Sequence, residues 1–170
     1  MPRRPRVFVA GASYHVYCWV ARGERVFAHP REAAALVGVI REVVREHGLS
    51  VLAWCVMATH DHLAVRAGRL PLWRSMRLIQ GRFARLHKRH RRVLGPFWQG
   101  RYKAIVVPDE RYLMQLVAYI HLNPVTAKVV IGTRYHHLTL LRSTCLVSSE
   151  ASVPRLTISR SWRMRTSRSG

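Results

Sequence analysis

Four side chains in two separate stretches of the sequence have the types and the spacing of a phosphoryl-transfer site. His60 and His62 lie two residues apart, so on a β-strand both imidazoles point to one face and can bind a single metal ion. Tyr119 and Asn123 lie four residues apart, so on a helix they share one face, one turn above each other. Two imidazoles, an amide and a phenol can then surround one cation. This set is suited to phosphoryl transfer with a tyrosine as the nucleophile.

Each of these residues also has a simpler explanation. Tyr119 lies at the margin of the apolar stripe of its predicted helix, where a tyrosine is more often a packing residue. A His-x-His pair on a strand also occurs by chance, and its spacing does not supply a third ligand. Imidazole binds Mg²⁺ only moderately, so an added oxygen ligand such as the Asn123 amide would suit Mg²⁺ or Mn²⁺. Spacing alone leaves both interpretations open.

The elements that have to position these residues follow a βαββαβ order. The hydrophobic periodicity alternates between two residues, typical of strands, and about 3.6 residues, typical of helices. The predicted segments are 13–20, 30–47, 49–57, 60–67, 71–90 and 101–107. A last helix, capped by Asp109 and running from Glu110 to Leu122 before Pro124, carries Tyr119. We therefore expect an α+β, ferredoxin-like antiparallel sheet with helices on one face, plus an appended C-terminal helix.

The charge of the chain indicates a nucleic-acid partner. Its 170 residues contain 29 Lys and Arg against 8 Asp and Glu, a net charge of +21, and guanidinium groups are well shaped for phosphate. We expect contacts from the polar face of the second helix, from an aromatic loop that follows it and from the N-terminal arm. The predicted residues are Arg74, Arg77, Arg85, Lys88, Arg92, Trp98, Arg101, Lys103, Arg3 and Arg4. A solvated basic surface, and for Trp98 a lid on the core, are the alternatives.

Composition also bounds the domain organisation. With 49% apolar residues, the chain can bury a core, and we assign residues 1–133 to one domain. Residues 134–170 hold seven arginines, one glutamate and twelve serines or threonines, and we expect a basic, disordered tail. No apolar run has the length of a membrane span, and the three cysteines form no CxxC pair. These features are typical of a cytoplasmic protein with reduced thiols.

Four short motifs occur in an order that resembles a known family. They are Tyr14-His15-Val16 with Arg22-Gly23, Ala53-Trp54-Cys55-Val56-Met57 with His60-Asp61-His62-Leu63, Phe97-Trp98-Gln99-Gly100-Arg101-Tyr102-Lys103, and Tyr112-Leu113 with Tyr119-Ile120-His121-Leu122-Asn123-Pro124-Val125. In these motifs the sequence is similar to the HUH-type single-tyrosine transposases, the IS200-like group, and most of all to their REP-associated tyrosine transposase branch. The similarity covers roughly residues 6–135.

The resemblance implies specific roles. His60 and His62 would be the metal pair for Mg²⁺ or Mn²⁺, Tyr119 the nucleophile, and Asn123 a further ligand. The reaction would be cleavage of single-stranded or hairpin-bearing DNA, with a 5′-phosphotyrosine intermediate and a free 3′ hydroxyl. The metal would polarise the scissile phosphate, and no nucleotide cofactor would be needed. The protein would act as a monomer or a homodimer.

Two departures from the family pattern keep other functions open. Asp61 stands where the family has a hydrophobic residue that points away from the metal, and the segment after Tyr135 differs from the usual continuation. One alternative is a DNA-hairpin-binding protein that no longer cleaves. Another is an RNA-binding ferredoxin-like module, which would need exposed aromatic residues at stacking positions on its sheet.

Overall fold

The computed structural model describes residues 8–92, 94–127 and 146–147, and this part of the chain forms an α+β fold. The elements are β1 Ser13–Trp19, α1 Pro30–His47, β2 Ser50–Met57, β3 His60–Arg66, α2 Leu72–Arg91, β4 Lys103–Val106, α3 Glu110–Thr126 and β5 Leu146–Val147. Two 3₁₀ turns, Ala21–Gly23 and Val26–Ala28, connect β1 to α1. From β1 to α3 the element types and their order are those that the sequence predicts.

The strands form one antiparallel sheet in the order β4-β1-β3-β2-β5. The first four strands of that list have the ferredoxin-like arrangement, which confirms the predicted fold class. β1 and β3 pair from Ser13 opposite Arg66 to Trp19 opposite His60. β2 and β3 are joined by the two-residue turn at Ala58 and Thr59, which sets Met57 opposite His60.

The sheet separates two apolar clusters. On one face, residues such as Val16, Val56 and Leu63 pack with α1 and α2, including the fully buried Phe83. On the other face, the small side chains of Ala53, Cys55 and Ala64 pack with Leu116 and Ile120 of α3. α1 and α2 therefore share one face, as predicted, and the appended helix α3 covers the other.

Local signals explain the ends of the helices. Pro30 is the first residue of α1, and Gly48 ends it in the left-handed conformation with φ 62°. The Tyr112 backbone N–H donates a hydrogen bond of 2.7 Å to Asp109 Oδ1, so Asp109 caps α3 as predicted.

The predicted end of α3 is wrong, because the helix continues through Pro124 to Thr126. A proline this close to the C-terminal end removes one backbone donor without breaking the preceding turns. The Thr126 hydroxyl donates to the Leu122 carbonyl at 3.0 Å, and the Ala127 N–H donates to the Asn123 carbonyl at 2.9 Å. Asn123 therefore stays in helical register with Tyr119.

Several sequence predictions fall outside the described residues. They include Arg3 and Arg4 of the basic arm and most of the predicted tail of residues 134–170. Two residues of that tail, Leu146 and Val147, are described and pair with β2. The domain boundary at residue 133 stays a prediction. Within the described ranges, no helix combines the length and the apolar composition needed to cross a membrane.

Candidate functional site

Two elements that are distant in sequence bring the predicted chemical groups together on the α3 face of the sheet. The rings of His60 and His62 on β3 have centroids 4.9 Å apart. The Tyr119 ring, carried by α3, lies edge-on to His62 with the ring centroids 5.6 Å apart. The Asn123 side chain forms a hydrogen bond with Tyr119 from the next turn of the helix. The structure therefore assembles the four residues that the sequence singles out.

β1 adds three side chains to this cluster that the sequence prediction missed. Tyr17 lies opposite His62 and Trp19 opposite His60. His15, two residues before Tyr17 in β1, points to the same face of the sheet. The Trp19 indole stacks on the His60 imidazole with a centroid distance of 4.2 Å, and 42% of Trp19 is exposed. His15, Tyr17 and Trp19 alternate with Tyr14, Val16 and Cys18 along β1, but the pairing register of β1 with β3 is needed to place them beside the histidines.

The ring nitrogens of the two histidines are oriented in the same way. His60 Nδ1 lies 3.0 Å from the Thr59 hydroxyl, and His62 Nδ1 lies 3.0 Å from His15 Nε2. In the described part of the chain, both rings thus make their hydrogen bonds through Nδ1. The Nε2 atoms are the ones left to bind a cation.

Burial sets the protonation states at the site. It lowers the pKa of His15 and of His60 to about 4, and it lowers the pKa of His62 well below its usual range. At neutral pH these imidazoles are therefore uncharged, with one ring nitrogen free of a proton, as metal ligands must be. Burial raises the pKa of Tyr119, while its hydrogen bond with Asn123 acts in the opposite direction. The resting tyrosine is a protonated phenol.

The donor set fits a divalent cation that takes oxygen as well as nitrogen ligands. Among the described residues, no group of three His, Cys, Asp or Glu side chains is placed to hold a metal ion. A cation between His60 and His62 would therefore complete its ligands with oxygen, from the Asn123 amide, from substrate or from water. Mn²⁺ accepts such a mixed set readily, and Mg²⁺ accepts it when oxygen ligands dominate.

Asp61 points to the other face of the sheet, as the alternation of the strand predicts. Its side chain is 3% exposed and lies among the residues that pack against α1 and α2. Burial raises the pKa of the Asp61 carboxyl to about 7, against the effect of a hydrogen bond with Cys18. Its Oδ1 atom has no hydrogen-bond partner in the described part of the structure. The Asp61 carboxyl is therefore not placed to bind a cation between His60 and His62. It is a buried acid on the opposite face of the same strand.

The predicted DNA-contacting cations divide between the two faces. Arg74, Arg77, Arg85 and Lys88 lie on α2, and Arg92 is the residue that follows its last turn. All five are exposed, but α2 packs on the face of the sheet opposite to His60, His62 and Tyr119. Lys103 is exposed and lies opposite Tyr17 in the β1–β4 pair, so it shares the face of the histidines. Arg101 is exposed in the loop before β4. Lys103 is thus the predicted cation that the sheet places beside the site.

Trp98 occupies the position of a lid on the core. Its indole N–H donates to the Gln80 carbonyl at 3.0 Å, and its ring lies 4.7 Å from that of Phe97 between centroids. It also packs beside Phe27 and Phe83. These contacts support the lid alternative for Trp98. The exposed aromatic residue at the site is Trp19.

Comparisons with known proteins show a family and two solved structures to which the chain is similar. The family model described as "Transposase IS200 like" matches residues 8–123, which include both histidines, Tyr119 and Asn123. The solved structure of a REP-associated tyrosine transposase bound to a REP hairpin superposes with a TM-score of 0.66 at 21% identity, covering 76% of each chain. A transposase structure from Deinococcus radiodurans R1 gives a TM-score of 0.50 at 21% identity over 70% of this chain and 95% of that one. No curated protein matches significantly.

Proposed function

The chain belongs to the IS200-like transposase family, and on that premise we propose that it is a metal-dependent single-strand DNA endonuclease and strand transferase acting on hairpin-bearing DNA. The observation that carries this proposal is the position of Tyr119, whose ring lies 5.6 Å from that of His62 although the two residues come from different elements. A phenol beside two neutral imidazoles that can hold a cation is an arrangement suited to phosphoryl transfer to tyrosine.

The proposed reaction is an in-line displacement at phosphorus. The Tyr119 oxygen forms a bond to phosphorus while the bond from phosphorus to the 3′ oxygen breaks. The tyrosine gives up its proton, the leaving 3′ oxygen takes one up, and a 5′-phosphotyrosine remains. Attack by a 3′ hydroxyl reverses the step, so strand transfer needs no nucleotide cofactor.

The residues around Tyr119 have separate roles in this scheme. His60 and His62 would hold Mg²⁺ or Mn²⁺ through Nε2, with Asn123 as an oxygen ligand, and the ion would polarise the scissile phosphate. Asn123 also holds the Tyr119 hydroxyl through their hydrogen bond. α3 fixes Tyr119 against the sheet through the buried Leu116 and Ile120. The nucleophile is thus positioned by a packed helix.

DNA would reach this site along the β1 and β4 edge. Lys103 supplies a cation on the face of the histidines, and the exposed Trp19 indole offers a stacking surface for an unpaired base. The exposed cations of α2 lie on the opposite face and would contact the DNA backbone further from the cleavage point. The hairpin stem is the part of such a substrate that can extend to that second surface. We place this activity in the cytoplasm, a reducing compartment with which the buried thiols of Cys18 and Cys55 are compatible.

A covalent-adduct experiment tests the proposal. The substrate is a library of single-stranded oligonucleotides that carry a hairpin beside a randomised segment, labelled at either the 5′ or the 3′ end. With Mn²⁺, we expect the 3′ label to comigrate with the protein on a denaturing gel and the 5′ label to appear in shorter free DNA. This asymmetry follows because tyrosine is joined to the 5′ phosphate of the downstream fragment.

Two phenylalanine variants provide the matched control. Tyr119→Phe should abolish the adduct while Tyr112→Phe, on the same helix, should keep it. Both changes remove one hydroxyl and little packing, so folding should be similar in the two proteins. An adduct that survives Tyr119→Phe would place the nucleophile elsewhere.

Asp61 favours a second candidate function, a hairpin-binding protein that no longer cleaves. A buried carboxyl with one oxygen unpaired in the described part of the chain, directly behind the two proposed metal ligands, can distort the strand that carries them. Asp61→Val restores the hydrophobic character expected at this position. An adduct that forms with Asp61→Val and not with the parent chain would identify the natural protein as the impaired, binding form.

A further inference from the structure

We propose that His15 is a positioning residue that fixes the tautomer and the ring orientation of His62. His15 lies on β1, outside the predicted set of site residues, and its side chain is 2% exposed. Its Nε2 atom lies 3.0 Å from His62 Nδ1, and the two rings lie 5.2 Å apart at an angle of 29°. This inference rests on the proposed function, because it assigns a role toward the cation that His62 would bind.

The role follows from counting protons between the two rings. A hydrogen bond between two neutral imidazoles contains one proton, which one of the two facing nitrogens carries. If His62 Nδ1 carries it, His62 Nε2 has a free lone pair that can bind a cation. If His15 Nε2 carries it, His62 Nδ1 is the acceptor, and the proton on His62 Nε2 blocks binding. The tautomer of His15 therefore decides whether His62 can act as a ligand.

Burial makes this contact an effective constraint. His62 is 3% exposed, so a change of its tautomer while that of His15 stays the same would leave two buried nitrogens facing each other without a proton between them. His60, by comparison, is held by the Thr59 hydroxyl, which can donate or accept by rotating. His15 thus supplies for His62 an outer contact of the kind that orients metal-binding histidines.

Packing is the alternative role for His15, because its ring also lies near Tyr17 and Tyr119. Two amide substitutions distinguish the roles. In His15→Gln, the amide oxygen reaches the position of Nε2 and can accept the hydrogen bond from His62. In His15→Asn, the amide reaches the position of Nδ1 and leaves His62 without its partner. Both variants lose the ring, so a packing role predicts similar effects.

The first measurement is the affinity of the full chain for Mn²⁺ in the absence of DNA. The electron paramagnetic resonance signal of the free ion reports how much Mn²⁺ is bound. We expect His15→Asn to weaken binding by about 10- to 100-fold, the usual effect of losing an outer contact to a metal-binding histidine. We expect His15→Gln to stay close to the parent protein. Equal binding by the parent and His15→Asn, or equal losses in both variants, would overturn the proposal.

The second measurement needs no substitution of His15. Nitrogen-15 spectra of the histidine rings in the parent protein distinguish a nitrogen that carries a proton from one with a free lone pair. We expect His62 to carry its proton on Nδ1 and His15 to have a free lone pair at Nε2. A proton on His62 Nε2 would overturn the proposal even if cleavage is observed.

These outcomes are separable from a failure of the proposed function. Mn²⁺ binding that His60→Ala does not weaken would refute the metal pair itself and with it the role of His15. A missing covalent adduct together with the expected Mn²⁺ and nitrogen-15 results would refute strand cleavage and leave the positioning role intact.

Discussion

Replacing Asp61 by asparagine should stabilise the protein at pH 8 and should have little effect at pH 4. The Asp61 carboxyl is buried on the α1 and α2 side of β3, and its Oδ1 has no hydrogen-bond partner among the described residues. Cys18 provides its side-chain hydrogen bond, and a thiol is a weak donor. An ionised carboxylate in these surroundings is costly, whereas an amide of nearly the same shape carries no charge.

The size of the effect follows from the pKa. Burial raises the pKa of Asp61 from 3.8 to about 7, so between these values the folded protein binds a proton that the unfolded chain has released. The free energy of unfolding then falls as the pH rises, by about 1.4 kcal/mol per pH unit and by about 4 kcal/mol over the interval. As the pH falls through 3.8 the unfolded chain also takes up the proton, so the penalty is already small at pH 4 and disappears below it.

Denaturant titrations of the parent and Asp61→Asn at pH 4, 5, 6, 7 and 8 measure this difference. EDTA is included so that metal binding does not contribute. The ten histidines are common to both proteins, so their titration cancels when the two free energies of unfolding are subtracted. The advantage of Asp61→Asn should grow from near zero at pH 4 to about 4 kcal/mol at pH 8.

The control is Glu24→Gln, which neutralises an exposed acid paired with Arg22. A surface change of this kind should alter stability by less than about 0.5 kcal/mol. A difference between the parent and Asp61→Asn that is constant across the pH range would refute the reasoning, because it would show that Asp61 does not change its charge there on folding.

Three further predictions concern the site and the DNA surfaces. His60→Ala, His62→Ala and excess EDTA should each abolish adduct formation, and undiminished cutting in EDTA would exclude the metal mechanism. Replacing Arg77 and Arg85 together by glutamine should flatten the plot of log affinity against log salt by about 1.4 to 1.8 without changing the preferred hairpin. An unchanged slope would identify a merely solvated surface. In the Tyr119→Phe background, Trp19→Ala should weaken binding of oligothymidylate by about 1–3 kcal/mol in fluorescence anisotropy, and Trp19→Phe should weaken it less.

Local periodicity predicted the parts of the site that lie within one element. His60 and His62 share a face because a strand alternates, and Tyr119 and Asn123 share a face because a helix repeats every 3.6 residues. Each of these pairs depends only on neighbours in sequence, so the sequence was sufficient to predict it. The packing of the appended helix α3 against the sheet, which brings the two pairs together, is a long-range contact that the structure adds.

Residues that depend on long-range pairing were missed or assigned differently. The contact between His15 and His62 joins residues 47 positions apart and requires the register of β1 against β3. Trp98 lies in a loop without periodicity, and the sequence does not show which side of that loop faces Phe27 and Phe97. The extension of α3 past Pro124 depends on side-chain and backbone bonds of the last turn.

The alternation of β3 also separates the consequences of changing adjacent residues. Asp61 is next to His60 and His62 in sequence, but it faces the core that α1 and α2 complete. Its substitution should therefore change the free energy of unfolding much more than the affinity for Mn²⁺. His15 lies on β1 and on the opposite face, in contact with His62 Nδ1, so its substitution should lower the affinity for Mn²⁺. Because the His15 ring is buried, His15→Asn should also lower the free energy of unfolding. Side-by-side measurements should therefore show lower Mn²⁺ affinity and lower stability for His15→Asn, and unchanged Mn²⁺ affinity with higher stability at pH 8 for Asp61→Asn. A loss of Mn²⁺ affinity in both variants would mean that the two faces of β3 are mechanically coupled.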